Sequence, residues 1–213
     1  MRISTPEFIA LMAMLVATVA ISIDAMLPAL PDIAAQLTPE RPNNAQLILS
    51  TFIVGMSIGT LIAGPLSDSF GRKTLIYWGA GLYISASIIC ILASNLETMI
   101  AARLCQGFGA AAPRVVSQAL IRDLYSGRQM ARISSFVMII FSIVPALAPL
   151  LGAGLISIFA WQSIFVIFVV FSALSTSWTG LRIQEPLAPE QRIPFRKDAF
   201  QAAIVEVFSI GMV

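Results

Sequence analysis

Gly64-Pro65-Leu66-Ser67-Asp68-Ser69-Phe70-Gly71-Arg72-Lys73-Thr74 is a short polar stretch carrying an acid, two bases and two glycines. It lies between two apolar runs, Leu47 to Leu66 and Thr74 to Ala93. Each is long enough to cross a bilayer, whose hydrocarbon core of about 30 Å asks for about 20 apolar helical residues. Read locally, the stretch is a tight hairpin joining two membrane spans, with its glycines allowing the turn.

Composition widens that reading to the whole chain. Hydrophobic residues make up 58% of the 213 and charged residues 11%, where a soluble domain carries about a quarter charged. Mean hydropathy is +0.88. The chain is written for lipid. Its net charge of +2 gives no ground for a nucleic-acid partner. There is no His, and the two cysteines, Cys90 and Cys105, both fall inside apolar runs. Ser-His and Cys-His catalysis, a zinc site and a disulfide framework are therefore excluded, and no catalytic residue, metal ligand or cofactor is expected.

Six spans follow in order: Phe8 to about Leu30, Leu47 to Leu66, Thr74 to Ala93, Thr98 to Leu120, Ile133 to Ile156 and Trp161 to Leu181. The first is too long for a signal-peptide core and lacks a small-residue cleavage site before the polar Asp32 to Asn44 loop. The expected organisation is an all-α membrane protein with a six-helix bundle over 1–181. A cytoplasmic connector follows over 182–198, with Pro186, Pro189 and Pro194. Apolarity returns over 199–213, short of a full span and expected to be the truncated start of a second half. The alternative for that last segment is an interfacial helix on the inner leaflet.

Orientation comes from the bases, because cytoplasmic loops retain Lys and Arg. With the N-terminus inside, Arg2, Arg72, Lys73, Arg122, Arg128, Arg132, Arg182, Arg192, Arg196 and Lys197 all fall on the inner side. Only Arg41 falls outside, and Arg103 and Arg114 lie within spans. The N-terminus and the connector are expected in the cytoplasm.

Charges within spans are costly and mark function by default. Asp24 sits about 9 Å below the outer surface and Arg103 about 8 Å, at 1.5 Å per helical residue. At a shared level, an Asp24–Arg103 pair would satisfy both charges, and the acid would exchange a proton when the site opens to water. Arg114 follows Arg103 by three helical turns and so projects from the same face, with Gly107 and Ala110 on the stripe and Gln106 at its edge. Such a face is expected to line a water-filled cavity or pack on a partner helix. Arg103 snorkelling outward and Arg114 anchoring at the inner boundary are the structural alternatives.

Small residues carry the remaining signal. Gly55, Gly59 and Ala63 recur every four residues, the spacing of close helix packing. Pro145 and Pro149 sit one turn apart and are followed by Gly152 and Gly154, which points to a deformable helix with close contact at the bend.

Gly64, Asp68, Gly71, Arg72 and Lys73 together resemble the signature loop of the major facilitator superfamily, with Ser69 where the family usually has a base. Arg103-Leu104-Cys105-Gln106-Gly107 resembles its fourth-helix motif, and Ala148-Pro149-Leu150-Leu151-Gly152 the fifth-helix motif of proton-driven drug exporters. Asp24 with Leu27-Pro28-Ala29-Leu30-Pro31, Arg122-Asp123-Leu124-Tyr125, Ser135-Phe136-Val137-Met138 and Glu185-Pro186-Leu187-Ala188-Pro189-Glu190 narrow the resemblance to the bicyclomycin and chloramphenicol resistance group. Pro113-Arg114 and Gln162 after Trp161 depart from that pattern.

The resemblance implies the N-terminal half of a 12-helix transporter in the cell inner membrane, exporting amphipathic drugs in exchange for protons. It further implies that Asp68 locks the two halves at the inner face, that Arg103 serves proton coupling and that Asp24 binds a proton or substrate. The proton gradient would be the energy source, and the partners are the lipid bilayer, a drug-like substrate, protons and the missing C-terminal six-helix half. A non-transporting fragment and a metabolite permease of the same superfamily are the alternatives.

Overall fold

A computed structural model describes residues 3–187 together with 190 and 192. Six long helices account for most of it: α1 Thr5–Asp24, α3 Leu47–Phe70, α4 Arg72–Leu92, α5 Leu96–Leu124, α6 Gly127–Ile156 and α7 Gln162–Arg182. The short α2, Leu30–Leu37, follows α1 through a 3-10 turn, and a second 3-10 turn covers Pro42–Gln46. Local chemistry sets the starts. The Ser4 hydroxyl accepts from the Glu7 N–H at 3.4 Å with Pro6 in the first turn, and the Asn95 amide oxygen accepts from the Thr98 N–H at 2.8 Å.

Among the described residues, five helical stretches are long and apolar enough to cross a membrane, and α5 is not one of them. Its place in the bundle explains why it need not be. α5 packs against α3, α4 and α1, and Arg103 and Gln106 are fully buried there. The most polar helix is thus shielded from lipid by its neighbours. Glycine makes these contacts close: a Cβ on Gly55 would fall on the Leu104 carbonyl, one on Gly107 on the Phe52 carbonyl, and one on Gly79 or Gly109 on the facing α4–α5 backbone. The expected packing stripe of Gly55, Gly59 and Ala63 is the α3 side of this seam.

Several local expectations are corrected. Gly64 to Thr74 is not an open hairpin: α3 runs through Pro65 to Phe70, α4 begins at Arg72, and Gly71 alone breaks the helix. Gly71 has φ +97°, the left-handed region that glycine adopts without strain. Gly64 is helical, with open space around its Cα, so it serves no turn. The polar segment from Asp32 to Asn44 begins as helix, because Pro31 suits a first turn and Ile33 and Ala34 bury against the core. Residues 199–213, expected to begin a second half, lie outside the described residues, as does most of the connector.

Candidate functional site

The residues singled out by sequence fall into three places. The first is the bundle end that holds the α3–α4 break, the start of α1 and the finish of α7. Here Arg72 is buried, and its guanidinium reaches partners on two other helices, α3 and α5. Its Nε donates to Asp123 Oδ2 at 2.8 Å, and its Nη1 donates to Asp68 Oδ1 and to Ser67 Oγ. Asp68 is therefore paired within its own bundle, one helical turn from Arg72. Lys73 Nζ donates to the Gly180 carbonyl of α7 at 2.8 Å. At the same end, Arg182 forms a forked pair with Glu7, to which Trp178 Nε1 also donates at 3.2 Å.

The second place is the interior of α5. Arg103 is 0% exposed, and no carboxylate among the described residues meets it. Nε donates to the Ile48 carbonyl at 3.2 Å, Nη2 to the Ser22 carbonyl at 3.0 Å, and Nη1 to Gln106 Oε1. The Phe52 ring lies 4.3 Å from the guanidinium carbon, centroid to atom, within cation–π range. Gln106 Nε2 continues to Ser87 Oγ at 2.6 Å, Ser87 donates to the Tyr83 carbonyl at 2.7 Å, and the Tyr83 and Ser22 hydroxyls are hydrogen-bonded. One connected polar network thus joins α1, α3, α4 and α5 in the core.

That arrangement corrects two expectations. The Asp24–Arg103 pair does not form: Arg103 spends its donors on carbonyls and an amide, and Asp24 has no ion-pair partner among the described residues. Nor do Arg103 and Arg114 share an environment. Arg103 is enclosed by α1 and by rings of α3 and α7 and neither snorkels nor lines a cavity, whereas Arg114 is exposed, its Nη1 3.5 Å from Met56 Sδ. Helical spacing fixes a direction, but what lies in that direction changes along the bundle.

The third place is the crossing of α1 and α6. Asp24 is the last residue of α1 and half-buried, and the next residue, Ala25, packs its carbonyl against Gly152, where a Cβ would collide. Ala148 is buried at the same crossing, and the half-buried Pro145 and Pro149 lie inside a helix that runs unbroken through both. Gly154, expected to assist, faces open space.

Ser22, Tyr83, Ser87 and Phe52 were not foreseen, since hydroxyls and rings in apolar helices carry no positional signal of their own. Asp123 and Glu185 stood inside quoted motifs without a role. Their signal was available: they are acids at helix ends on the side where the bases gather.

Comparison with known proteins agrees with this architecture. The family description "Major Facilitator Superfamily" matches residues 11–210. A Bacillus subtilis protein called uncharacterized MFS-type transporter YdgK is 37% identical over 86% of this chain and 46% of its own. The bicyclomycin resistance protein homolog of Haemophilus influenzae is 34% identical over 82% and 44%, and the multidrug resistance protein MdtL of Escherichia coli 36% over 78% and 43%. The chain thus spans about half the length of the curated relatives it matches. Among solved structures, human MFSD10, titled an organic anion transporter, aligns with a TM-score of 0.71 at 17% identity, covering 91% of this chain and 51% of that one. The peptide transporter POT aligns with the same score at 15% identity over 96% and 44%. With a family match along nearly its whole length and a six-long-helix bundle of the corresponding fold, the chain belongs to the Major Facilitator Superfamily, as the N-terminal half of its architecture.

Proposed function

We propose that this chain is the substrate- and proton-handling first half of an inner-membrane exporter that exchanges small amphipathic drugs for protons. In this reading 1–181 is the bundle, 182–198 the cytoplasmic connector and 199–213 the start of the second half. The N-terminus and the Arg72 end face the cytoplasm, where the bases gather. Relatives named for multidrug and bicyclomycin resistance support the substrate class.

The observation that carries the reading is the contrast between Asp24 and Arg103. Arg103 is fixed by Ser22, and Asp24 stands two residues further along the same helix without an ion pair among the described residues. An acid so placed gains or loses a proton without first breaking a salt bridge, and any shift of the α1 end is felt at the carbonyl holding Arg103. Gly152 keeps α6 against that end, so a change at Asp24 also reaches the proline-bearing helix. Arg114, exposed on α5, is assigned to the cavity wall.

The second half would cover the outer faces of α3 and α6, where Ile53, Val54, Leu61, Ile139, Ile143, Leu147 and Leu150 are exposed. Proteoliposomes holding the chain together with such a half, loaded with ethidium and given an inward proton gradient, test the reading. Efflux is expected from the wild type and loss of proton dependence from Asp24→Asn. Unchanged proton dependence in that variant removes Asp24 from the mechanism.

A further inference from the structure

The Arg72 network depends on a residue far away in sequence. The first N–H groups of a helix have no partner within it, and a side chain at the N-cap ordinarily supplies one. At the start of α4 that position is Gly71, which has no side chain to offer. The Glu185 carboxylate fills the role instead. Oε1 accepts from the Arg72 N–H at 2.9 Å and Oε2 from the Lys73 N–H at 2.8 Å, 113 and 112 residues away in the chain. Oε1 also accepts from the Leu187 N–H at 3.3 Å, folding the connector back on itself.

Gly71 is fitted to this arrangement twice over. Its φ of +97° disfavours any other residue, and a Cβ there would stand 3.1 Å from Glu185 Oε2. The anion also faces the positive end of the α4 dipole, which favours it. A local Ser or Asp cap would have made α4 self-sufficient. Here the cap comes from the segment after α7, and Lys73 Nζ on the Gly180 carbonyl ties the same turn of α4 to the last turn of α7. Arg72 belongs to both systems: its backbone N–H is held by Glu185, and its guanidinium holds Asp68 and Asp123.

We propose that Glu185 is a positioning residue that caps α4 from the connector and thereby holds Arg72 in reach of Asp68 and Asp123, so that displacement of the connector releases the ion-pair network. The consequence for transport rests on the exporter reading, and the cap itself does not. When the segment after α7 moves, the N-terminal turn of α4 loses its acceptors, and the Arg72 guanidinium is no longer pinned between two carboxylates. The connector is then a transmission element rather than a passive tether.

Hydrogen exchange on the purified chain in nanodiscs measures the cap directly. Glu185→Ala is expected to speed exchange at the Arg72 and Lys73 amides by about tenfold, the scale of a lost charge-assisted hydrogen bond. Glu185→Gln, retaining one acceptor oxygen, falls between, and the exposed Glu190→Gln does not differ from wild type. Because Glu185 and Asp123 act through Arg72, the melting shifts of Glu185→Ala and Asp123→Asn are expected to be sub-additive in the double variant. Unchanged exchange in Glu185→Ala overturns the cap, and strictly additive melting shifts overturn its link to the network. In the ethidium assay, Glu185→Ala is expected to lower the maximal rate several-fold at an unaltered half-saturating concentration, since the residue touches no substrate. A full rate alongside raised exchange overturns the role in transport. A wild type that moves no ethidium counts against the exporter reading, while exchange and the double variant still decide the cap and its link.

Discussion

Arg72 and Arg103 are both buried guanidiniums, yet they are held in opposite ways. Arg72 sits at the bundle end between two carboxylates whose side chains are 42% and 29% exposed. Arg103 sits in the core with carbonyl oxygens, an amide and an aromatic face, and without an acid among the described residues. Water can compete for the first set of partners and not for the second. A network of that kind opens and closes; an anchored cation in a dry interior keeps helices in register. On the exporter reading, the difference puts motion at the Arg72 end and constancy at the Arg103 hub.

The harshest way to break the comparison is at the hub. Arg103→Leu strips donors from the Ile48 and Ser22 carbonyls and from Gln106 in a place water does not reach. At about 1 kcal/mol for each interhelical hydrogen bond within a membrane, the two bonds to α3 and α1 amount to about 2 kcal/mol, and thermal unfolding in detergent is expected to drop accordingly. Arg103→Lys, which keeps the charge but not the planar fork, is expected to recover less than half of it. Full stability in either variant would mean that the hub does not anchor the helices.

Next in size is the seam that brings α3 close enough for the Ile48 carbonyl to reach Arg103. Gly55→Ala drives a Cβ into the Leu104 carbonyl, and backbone cannot step aside as a flexible side chain would. Overpacking of this sort costs about 1–3 kcal/mol. Gly64→Ala on the same helix meets open space and is expected to be neutral or slightly stabilising through helix propensity. The pair of melting curves separates a glycine required by packing from one that is not.

These contrasts also show how far the sequence could be read. Length and apolarity gave the helices, because a bilayer imposes both, and the four-residue glycine spacing gave the α3 side of the seam. The signature loop pointed to the right residues with the wrong local shape: two glycines looked like a hairpin, while the chain needs one residue of positive φ. What stayed hidden was partner choice. An Asp and an Arg at equal depth invite pairing, but Arg103 is satisfied sooner by carbonyls that every helix carries and no side-chain pattern reveals. The Glu185 cap was equally out of sight, since it joins residues over a hundred positions apart.

At the Arg72 end a milder change is expected to leave the fold standing. Asp123→Asn keeps an acceptor for Arg72 Nε and removes a charge that is partly exposed to solvent, where such pairs contribute about 0–1 kcal/mol. Melting is expected to fall measurably but by far less than in Arg103→Leu, while transport by the assembled protein falls several-fold, because Arg72 is then pulled toward Asp68 alone. The corresponding change at the hub reverses that ranking, with Gln106→Leu costing more in stability than in any pH or salt response. If Asp123→Asn unfolds the chain as severely as Arg103→Leu, the division between moving end and fixed hub is wrong.

The smallest effect is expected next door to Arg72, at Glu7 and Arg182. Their forked pair ties the start of α1 to the finish of α7, but the Arg182 side chain is 46% exposed and pays for its geometry in lost rotamer freedom. Glu7→Gln should lower the melting temperature only slightly, and only at low salt. It keeps an acceptor for Trp178 Nε1, so the local contact survives in part. Salt gives the finer reading: raising ionic strength screens an exposed pair and hardly touches a buried one. The wild type and Glu7→Gln should therefore converge completely in high salt, whereas Arg103→Leu stays apart from the wild type at every salt concentration. A Glu7→Gln penalty that persists in high salt would place this pair with the hub, and α1 would then be fixed at both ends instead of free to shift at Asp24.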